Sequence, residues 1–559
     1  MQLMRLASVM FANIIGYTHM ISKRKRIFFY FILSVICLTG FSQNKPEKEE
    51  WLKDAGFGMF IHWSMDSQLG IVISHSTVGA SDDYTNRYFN ELPKTFNPTD
   101  FDPDKMAVLA KLAGMKYMVF TAKHHSGFCM WDTETTPFNI MNTPYEQDIV
   151  KEYIEACRKH GLKVGLYFSP EDFWFLYQND ELIRRSNIDD ISDDLRTKYI
   201  DYNQKQCREL LTRYGPIDVM FFDGGEGSLI NALKPYCWEI NPDLLITRGE
   251  LQTPEQYLPG ITSDRVWESC ITMGTQWQFK PTNESYKSGG QIIKMLVETR
   301  AKGGALLLNI GPDVYGSIPF EQDRNLREVA AWYFINHEAV DNVRPWIIPN
   351  EGNIWFCQSK EGQSVYAVLF DQMDWPRGER REFTLHSVKA TKETKVSVLG
   401  QNDKIVEYMS TDPISKFSQN SEGLQVTVGR AQRIYNNHKW PNPLVIKLEN
   451  VEKALDPPVI RTLENTELEG GKVTFMVSLD ELGDAERVGV AIQYRKAPTT
   501  LNERVAGADW ILTETVGADK PGEYQVSQDD LAPGAYQYRA VVIHPKIMIS
   551  GEIYTVNIN

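Results

Sequence analysis

Short apolar runs that each end in a polar or aromatic side chain recur along the first half of this chain. They limit the folds it can adopt more than any other feature. The clearest, residues 218–225, reads Asp-Val-Met-Phe-Phe-Asp-Gly-Gly, so that four apolar residues lead directly to Asp223 and then to glycines. Such a run is typical of a buried strand of a parallel sheet. Asp223 is therefore expected at the carboxyl end of its strand, where the catalytic groups of α/β barrels lie.

Six further runs repeat this pattern, at residues 57–61, 117–120, 164–166, 244–247, 266–267 and 306–308. Helical periodicity falls between several of them, at residues 104–113, 149–160, 196–214 and 291–302. Alternating strands and helices indicate βαβ units and a parallel sheet. About seven repeats in roughly 290 residues match the size of a (β/α)8-like barrel. An open doubly wound sheet is the alternative, and the lack of a Gly-x-Gly-x-x-Gly after any early strand disfavours it.

A chain of 559 residues is too long for one core, and its pattern of apolar and polar residues changes after Pro345. Residues 346–455 contain short alternating stretches with little helical period, which predicts a β-sandwich. Asp-Pro-Pro at 456–458 predicts a linker. Residues 456–559 again contain short strands, and their length fits a fibronectin-III-like or immunoglobulin-like module. The predicted barrel domain occupies residues 44–345.

The amino terminus has the pattern of a signal peptide. A basic run at 23–26 precedes an apolar stretch at 27–38, which is short for a membrane span, and small residues follow before residue 43. We predict a signal peptide over residues 1–43, with Met20 as an alternative start. The mature chain is then exported to the periplasm or the extracellular space and carries no integral membrane span. Lipid anchoring through Cys37 is disfavoured, because the residue before it, Ile36, is not small.

Charge and cysteine usage exclude two classes of protein. The formal net charge is −14 and the mature part has no long basic run, which argues against a nucleic-acid partner. The six cysteines after Cys37 are scattered without Cys-x-x-Cys spacing, so a disulfide scaffold is not expected.

Four motifs carry a family resemblance. They are Gly-Met-Phe-Ile-His-Trp at 58–63, Thr-Ala-Lys-His-His-Ser-Gly-Phe at 121–128, Phe-Phe-Asp-Gly at 221–224 and Leu-Leu-Asn-Ile-Gly-Pro at 307–312. In this order, within residues 51–345, they resemble the α-L-fucosidases of glycoside hydrolase family 29. The resemblance implies an exo-acting, retaining enzyme that releases terminal L-fucose from a glycan or oligosaccharide by double displacement.

That reaction needs two carboxyl groups about 5–5.5 Å apart, one as nucleophile and one as general acid/base. By the resemblance, Asp223 matches the family's nucleophile. Glu268 follows Trp267 and matches the Trp-Glu that carries the acid/base role in many relatives, and an apolar neighbour raises the pKa of a carboxyl. Three other glutamates compete for this role: Glu226, Glu250 and Glu255.

A second set of residues is expected to bind the sugar. Buried His, Tyr and Arg side chains supply directed hydrogen bonds to ring hydroxyls, and Trp faces cover C–H groups. The expected hydroxyl ligands are His62, His124, His125, Tyr167 and Arg248, and the expected apolar faces are Trp63 and Trp131. No metal or other cofactor is predicted, because His-x-His in the first strand and His-x-x-x-His on a helix are both lacking.

Three departures from the family pattern fall near the expected pocket wall. His75, in Ser-His-Ser-Thr-Val at 74–78, stands where relatives have a sugar-binding Glu-Trp and is expected to substitute for it. Phe221 replaces a tryptophan, and Gln278 replaces a glycine. These changes leave the reaction class unaffected but leave the sugar open, so an α-L-galactosidase on the same scaffold is one alternative. A glycan-binding barrel protein without activity is the other alternative, and its expected signature, loss of the nucleophile, is not seen because Asp223 is present.

Overall fold

Seven parallel strands form the first sheet, in the order β5-β4-β3-β2-β1-β7-β6. They are β1 (Phe57–Ile61), β2 (Tyr117–Lys123), β3 (Lys163–Phe168), β4 (Val219–Phe222), β5 (Leu245–Ile246), β6 (Glu268–Thr272) and β7 (Ala305–Ile310). All seven strands coincide with or adjoin an apolar run of the sequence, so the predicted parallel α/β sheet is confirmed. The computed structural model describes residues 44–185, 190–225, 227–370, 372, 374–434, 442–469, 472–499 and 509–558. The predicted signal peptide and Glu226 lie outside these residues.

Helices accompany the sheet at most of its crossovers. They are α1 (Pro46–Ala55), α2 (Asp82–Asn90), α3 (Pro103–Leu112), α4 (Ile149–His160), α5 (Phe173–Gln178), α6 (Asp193–Thr212), α7 (Ser228–Ile240), α8 (Gly289–Ala301) and α9 (Phe320–Asn336). Local sequence fixes their ends. Asp148 caps α4 by accepting from Lys151 N, and Gly161, with φ of 71°, ends that helix in the left-handed region. Ser288 and Gln291 form a capping box at the start of α8.

The connection from β5 to β6 contains no helix in its described residues, 247–267. Instead residues 252–256 run beside β6, where the amides of Glu268 and Cys270 donate to the carbonyls of Gln252 and Pro254, at 3.1 and 3.0 Å. Two isolated parallel bridges, Gln252 to Trp267 and Glu255 to Cys270, mark the same pairing. The sheet therefore curls, and a strand-like segment partly covers its β6 edge.

Side chains that point inward from the curled sheet form a core of their own. It includes Phe60, Tyr117, Tyr167, Phe221 and Leu307, all less than 2% exposed. Alternate residues point outward and pack against the helices in a separate, larger cluster. The inner core forms the floor beneath the carboxyl ends of the strands.

After Val343 the described chain is almost entirely β. The strands of the first two sheets are β8 (Val343–Glu351), β9 (Ile354–Ser359), β10 (Ser364–Leu369), β11 (Arg380–Leu385), β12 (Val388–Val398), β13 (Lys416–Gln419), β14 (Leu424–Gly429) and β15 (Leu444–Lys453). The sheets have the orders β12-β15-β10-β9-β8 and β11-β14-β13, and they share one buried cluster.

The last strands are β16 (Val459–Glu469), β17 (Lys472–Glu481), β18 (Val488–Lys496), β19 (Ile511–Leu512), β20 (Val516–Ala518), β21 (Gly522–Asp529), β22 (Gly534–Ile543), β23 (Met548–Ser550) and β24 (Tyr554–Ile558). They also form two sheets around a core of their own. Within the described residues, no helix has both the length and the apolar character needed to cross a bilayer.

Candidate active site

Asp223 lies directly after β4, with its side chain 18% exposed, at the carboxyl ends of the strands. Both carboxylate oxygens are held. The Tyr167 hydroxyl donates to Oδ2 at 2.7 Å, and Arg248 Nη1 donates to Oδ1 at 3.0 Å. Burial by itself raises the pKa of this carboxyl. The combined effect of His125, Arg248 and Tyr167 is larger and opposite, so the pKa lies well below its usual range. Asp223 is therefore an anion at neutral pH, fixed in direction by two donors.

Four histidines surround this carboxylate from β1, β2 and the loop after β1. His62 Nδ1 donates to Asn309 Oδ1 at 2.6 Å, and His124 Nδ1 lies 2.8 Å from Ser74 Oγ. The His75 ring stands 5.3 Å from the His125 ring, centre to centre. The structure thus brings together the four histidines that the sequence predicts for this site.

These histidines are uncharged at neutral pH. Burial lowers the pKa of His62 to about 4 and that of His125 to about 3. A neutral imidazole has one donor and one acceptor nitrogen. In His62, Nδ1 is the donor to Asn309, so Nε2 remains as an acceptor for a hydroxyl group.

His125 is oriented in the same way. The Ser169 hydroxyl donates to the Glu171 carbonyl at 2.9 Å, so its oxygen accepts from His125 Nδ1 at 2.6 Å. His125 Nε2 is then an acceptor, 3.6 Å from Asp223 Oδ2. A sugar hydroxyl beside Asp223 can donate to this nitrogen.

Of the two rival glutamates that the structure describes, Glu255 is the one joined to this arrangement. Arg248 donates to Asp223 through Nη1 and to Glu255 Oε2 through Nη2, the latter at 2.9 Å. A guanidinium that contacts both oxygens holds them within about 8 Å of each other. The Glu255 side chain is 44% exposed, so it faces the entrance, whereas Glu250 pairs with Lys234 Nζ at 2.7 Å.

The position expected of Glu268 is corrected by the structure. Glu268 is the first residue of β6 and lies level with Ala305, the first residue of β7. It is fully buried at the amino end of the sheet, where its Oε1 accepts from the Tyr117 hydroxyl at 2.5 Å. The strand begins two residues later than the apolar run 266–267 suggests, and this shift removes Glu268 from the carboxyl-end pocket.

Both tryptophans expected as sugar platforms are also placed elsewhere. Trp63 is fully buried, stacks on Phe101 and donates to the Asp313 carbonyl at 2.9 Å. Trp131 is fully buried and donates to Glu209 Oε2 at 2.9 Å. Their apolar faces are covered by neighbouring core side chains, so neither tryptophan is available to a sugar.

Phe221 and Gln278 lie behind the pocket rather than on its wall. Phe221 is 1% exposed, stacks under Tyr167 and carries the Arg248 guanidinium 4.9 Å above its ring. Gln278 is 2% exposed, and its Nε2 donates to the Ile71 carbonyl at 2.6 Å. Both act on the site through the residues that they support.

Three residues of the site were not proposed from the sequence. The Trp277 ring lies 4.7 Å from the His62 ring and supplies the aromatic surface expected of Trp63. Trp277 directly precedes Gln278, one of the positions that depart from the family pattern, and that neighbourhood is a sequence signal that could have identified it. Arg185 donates to Glu171 Oε2 at 2.9 Å and approaches Asp223 Oδ1 at 4.0 Å. No sequence pattern marked these two.

His124, His125 and Asp223 also offer three atoms within 4.8 Å of one another, which is a spacing that could hold a metal ion. The other contacts of Asp223 oppose this use. Arg248 and Tyr167 already occupy its two oxygens, and a guanidinium repels a cation at this distance. The donor set therefore suits an anionic nucleophile better than a metal ligand.

Comparisons with known proteins agree with this geometry. The sequence model of the family "Alpha-L-fucosidase" matches residues 39–338. Tissue alpha-L-fucosidase of Rattus norvegicus is 28% identical over 422 residues, which cover 68% of this chain and 85% of the rat protein.

Two solved structures share the fold. Alpha-L-fucosidase isoenzyme 1 from Paenibacillus thiaminolyticus is 28% identical with a TM-score of 0.59, covering 72% of this chain and 99% of that one. The alpha-L-fucosidase from Vibrio sp. strain EJY3, at 21% identity, has a TM-score of 0.64 and covers 92% of this chain and 99% of its own. The second similarity extends the shared fold into the C-terminal β region.

Proposed function

The chain belongs to the α-L-fucosidase family of glycoside hydrolases, and we propose that it releases terminal α-linked L-fucose from glycans by a retaining mechanism with Asp223 as nucleophile. The observation that carries the assignment is the ionised Asp223 carboxylate, fixed by Tyr167 and Arg248 beside neutral histidines. An oriented anion is what attack on an anomeric carbon requires.

In the first step an oxygen of Asp223 forms a bond to the anomeric carbon while the glycosidic C–O bond breaks. The leaving oxygen takes a proton from the general acid, and a covalent fucosyl-enzyme results. In the second step the same residue, now a base, removes a proton from water. The water oxygen bonds to the anomeric carbon, and Asp223 leaves as a carboxylate.

We assign the general acid/base role to Glu255. Its carboxylate contacts the same guanidinium as Asp223 and is partly open to solvent, as a group that meets both leaving group and water must be. Glu268 is fully buried, and its Oε1 is held by the Tyr117 hydroxyl below the pocket floor, so it is closed off from both the leaving group and water. Glu250 is held by Lys234.

Recognition of the sugar rests on its hydroxyls and one apolar face. His62 and His125 each keep an acceptor nitrogen for a sugar hydroxyl, and His124 and His75 complete the wall. Trp277, beside His62, is suited to cover the C–H groups of the ring. Gln278 Nε2 donates to the Ile71 carbonyl, and the side chain is 2% exposed, so it lies behind the pocket wall. L-Fucose is favoured over L-galactose because the family model and the similar proteins are α-L-fucosidases.

The larger organisation is proposed on the sequence pattern. Residues 1–43 act as a signal peptide, and the mature chain is exported without a metal or other cofactor. The parallel sheet and its helices, residues 44–345, act as a (β/α)8-like catalytic domain. A β-sandwich at 346–455 and a fibronectin-III-like module at 456–559 follow it.

The test is hydrolysis of matched nitrophenyl α-L-fucoside and α-L-galactoside, with the first-formed anomer of the product followed by proton NMR. We expect a higher kcat/KM on the fucoside and initial release of the α-anomer of fucose. A pocket built around a methyl rejects an added hydroxyl only by about a hundredfold, so weak galactoside turnover is compatible. A preference for galactoside would overturn the sugar, initial release of the β-anomer would overturn the mechanism, and inactivity on both would favour a binding protein.

A further inference from the structure

The loop of residues 257–263 begins two residues after Glu255 and is hydrogen-bonded to the sheet at its start. Gln256, with φ of 62°, reverses the chain, and its Oε1 accepts from the amide of Thr272 at 3.2 Å. The Ser269 hydroxyl donates to the Tyr257 carbonyl at 2.5 Å. The loop therefore leaves β6 immediately beyond the glutamate.

The far half of this loop lies between α8 and the last β strands. Lys302 Nζ, after α8, donates to the Pro259 carbonyl at 2.7 Å, and the Ser263 amide donates to the Lys302 carbonyl at 3.1 Å. On the other side, a Cβ atom at Gly260 would lie only 2.9 Å from the Gly551 carbonyl oxygen and 3.1 Å from Ile553 Cγ1. The chain between β23 and β24 is thus in close contact with this loop.

Charge supports the same contact. Glu298, near the end of α8, bonds to Lys302 Nζ at 2.6 Å. The same carboxylate interacts electrostatically with Arg495 of β18 and Arg539 of β22, whose guanidinium groups lie 4.2 and 4.3 Å from the centre of the Trp510 ring. The last β strands therefore place two guanidinium groups in the field of a carboxylate on α8, and they contact the loop directly through the packing of Gly551 and Ile553 against Gly260.

We propose that the C-terminal strands β16–β24 position Glu255 for proton transfer, by clamping the loop of residues 257–263 between Ile553 and α8. The inference rests on the acid/base role proposed for Glu255. Proton transfer to the leaving oxygen requires hydrogen-bond distance, and a displacement of about 1 Å can cost a hundredfold in rate. Gly260 and Ile553 are positioning residues in this scheme and do not touch substrate.

The experiment uses the full chain with Gly260→Ala, which adds a methyl against the Gly551 carbonyl, and Ile553→Ala, which removes packing from the opposite side. Gly429→Ala is the matched control, because a Cβ there meets nothing closer than 3.5 Å and lies in β14, a strand of the other β region. For each variant kcat/KM is measured on dinitrophenyl and phenyl α-L-fucosides. This parameter reports departure of the leaving group, and only the poor phenol leaving group needs full protonation.

We expect Gly260→Ala and Ile553→Ala to lower kcat/KM on the phenyl fucoside by about tenfold and to leave the dinitrophenyl fucoside within about twofold, while Gly429→Ala changes neither. In a Glu255→Gln background the Gly260→Ala change should add nothing further on the phenyl substrate. Equal losses on both substrates, or no loss on either, would overturn the positioning role. Failure of Glu255→Gln itself to discriminate between the substrates would instead overturn the acid/base assignment. If Gly260→Ala does not fold, Ile553→Ala alone decides the question.

Discussion

Glu268 accepts a 2.5 Å hydrogen bond from the Tyr117 hydroxyl at the amino end of the parallel sheet. Burial raises the pKa of this carboxyl to about 7, so it is largely protonated below neutrality. A glutamate beside a tryptophan can therefore have the raised pKa of a general acid without being near the substrate.

Glu268→Gln should retain nearly full activity and should change how stability depends on pH. The folded pKa lies above the ordinary glutamate value of about 4.5, so the stabilising contribution of the neutral carboxyl is complete below about pH 4.5 and is lost as pH rises through about 7. The amide cannot ionise, so the variant should gain up to roughly 3 kcal/mol over the wild type between these limits. Measurement of Tm from pH 4.5 to 8 checks the effect on stability. A thousandfold loss of kcat in the variant would instead show that Glu268 acts in catalysis.

Asp223→Asn should lower kcat/KM on nitrophenyl α-L-fucoside by about a thousandfold or more, because the amide cannot form the glycosyl ester. The swap is nearly isosteric, and its oxygen can still accept from Tyr167 or Arg248. Circular dichroism should therefore be unchanged. Activity near that of the wild type would refute the nucleophile assignment.

Glu255→Ala should reduce turnover of phenyl α-L-fucoside far more than that of the dinitrophenyl compound, since a good leaving group needs little protonation. Added azide should restore part of the activity by attacking the fucosyl-enzyme without base assistance. Glu250→Ala is the control, because Glu250 is paired with Lys234. If Glu250→Ala shows this kinetic signature and Glu255→Ala does not, the acid/base assignment is wrong.

Asp66 anchors the loop that presents Ser74 and His75. Fully buried, its Oδ2 accepts from the Ser74 amide at 2.6 Å and from the Tyr88 hydroxyl at 2.9 Å, while Ser74 Oγ contacts His124. Asp66→Leu should raise KM about tenfold, because both donors lose their acceptor. Asp66→Asn keeps an acceptor of the same size and should stay within about twofold. Equal KM values for the two variants would contradict this anchoring role.

Activity should survive dialysis against EDTA, because the proposed reaction uses two carboxylates and a shell of hydroxyl ligands. The His124, His125 and Asp223 group makes this a necessary check. Loss of activity on chelation that Zn²⁺ restores would show that these three side chains bind a metal.

The sequence predicted the parallel sheet and most of the pocket because these depend on local patterns. Apolar runs place a side chain at a strand end, so Asp223, His62, His124 and His125 could be located. Register could not be inferred: the run containing Val266 and Trp267 suggested that Glu268 ends a strand, whereas it begins one.

Side chains that reach the pocket from loops could not be predicted from the sequence, for a different reason. Arg185 and Glu171 meet Asp223 through the packing of loops, and no periodicity marks such residues. Trp63 and Trp131 show the opposite error, in which a residue was predicted for the pocket but lies in the core. An aromatic side chain beside a motif packs in the core as readily as on a sugar.

The crossover from β5 to β6 lacks the helix that would fix its length against the sheet. Glu255 stands on this crossover, whereas Asp223 stands at the end of a fully buried strand. A side chain on an irregular crossover takes its position from loop and edge contacts, which change with loop sequence more readily than a buried strand does. Under the role proposed for Glu255, variation in this crossover can therefore alter which leaving groups are accepted, while the buried strand keeps the Asp223 carboxylate in place.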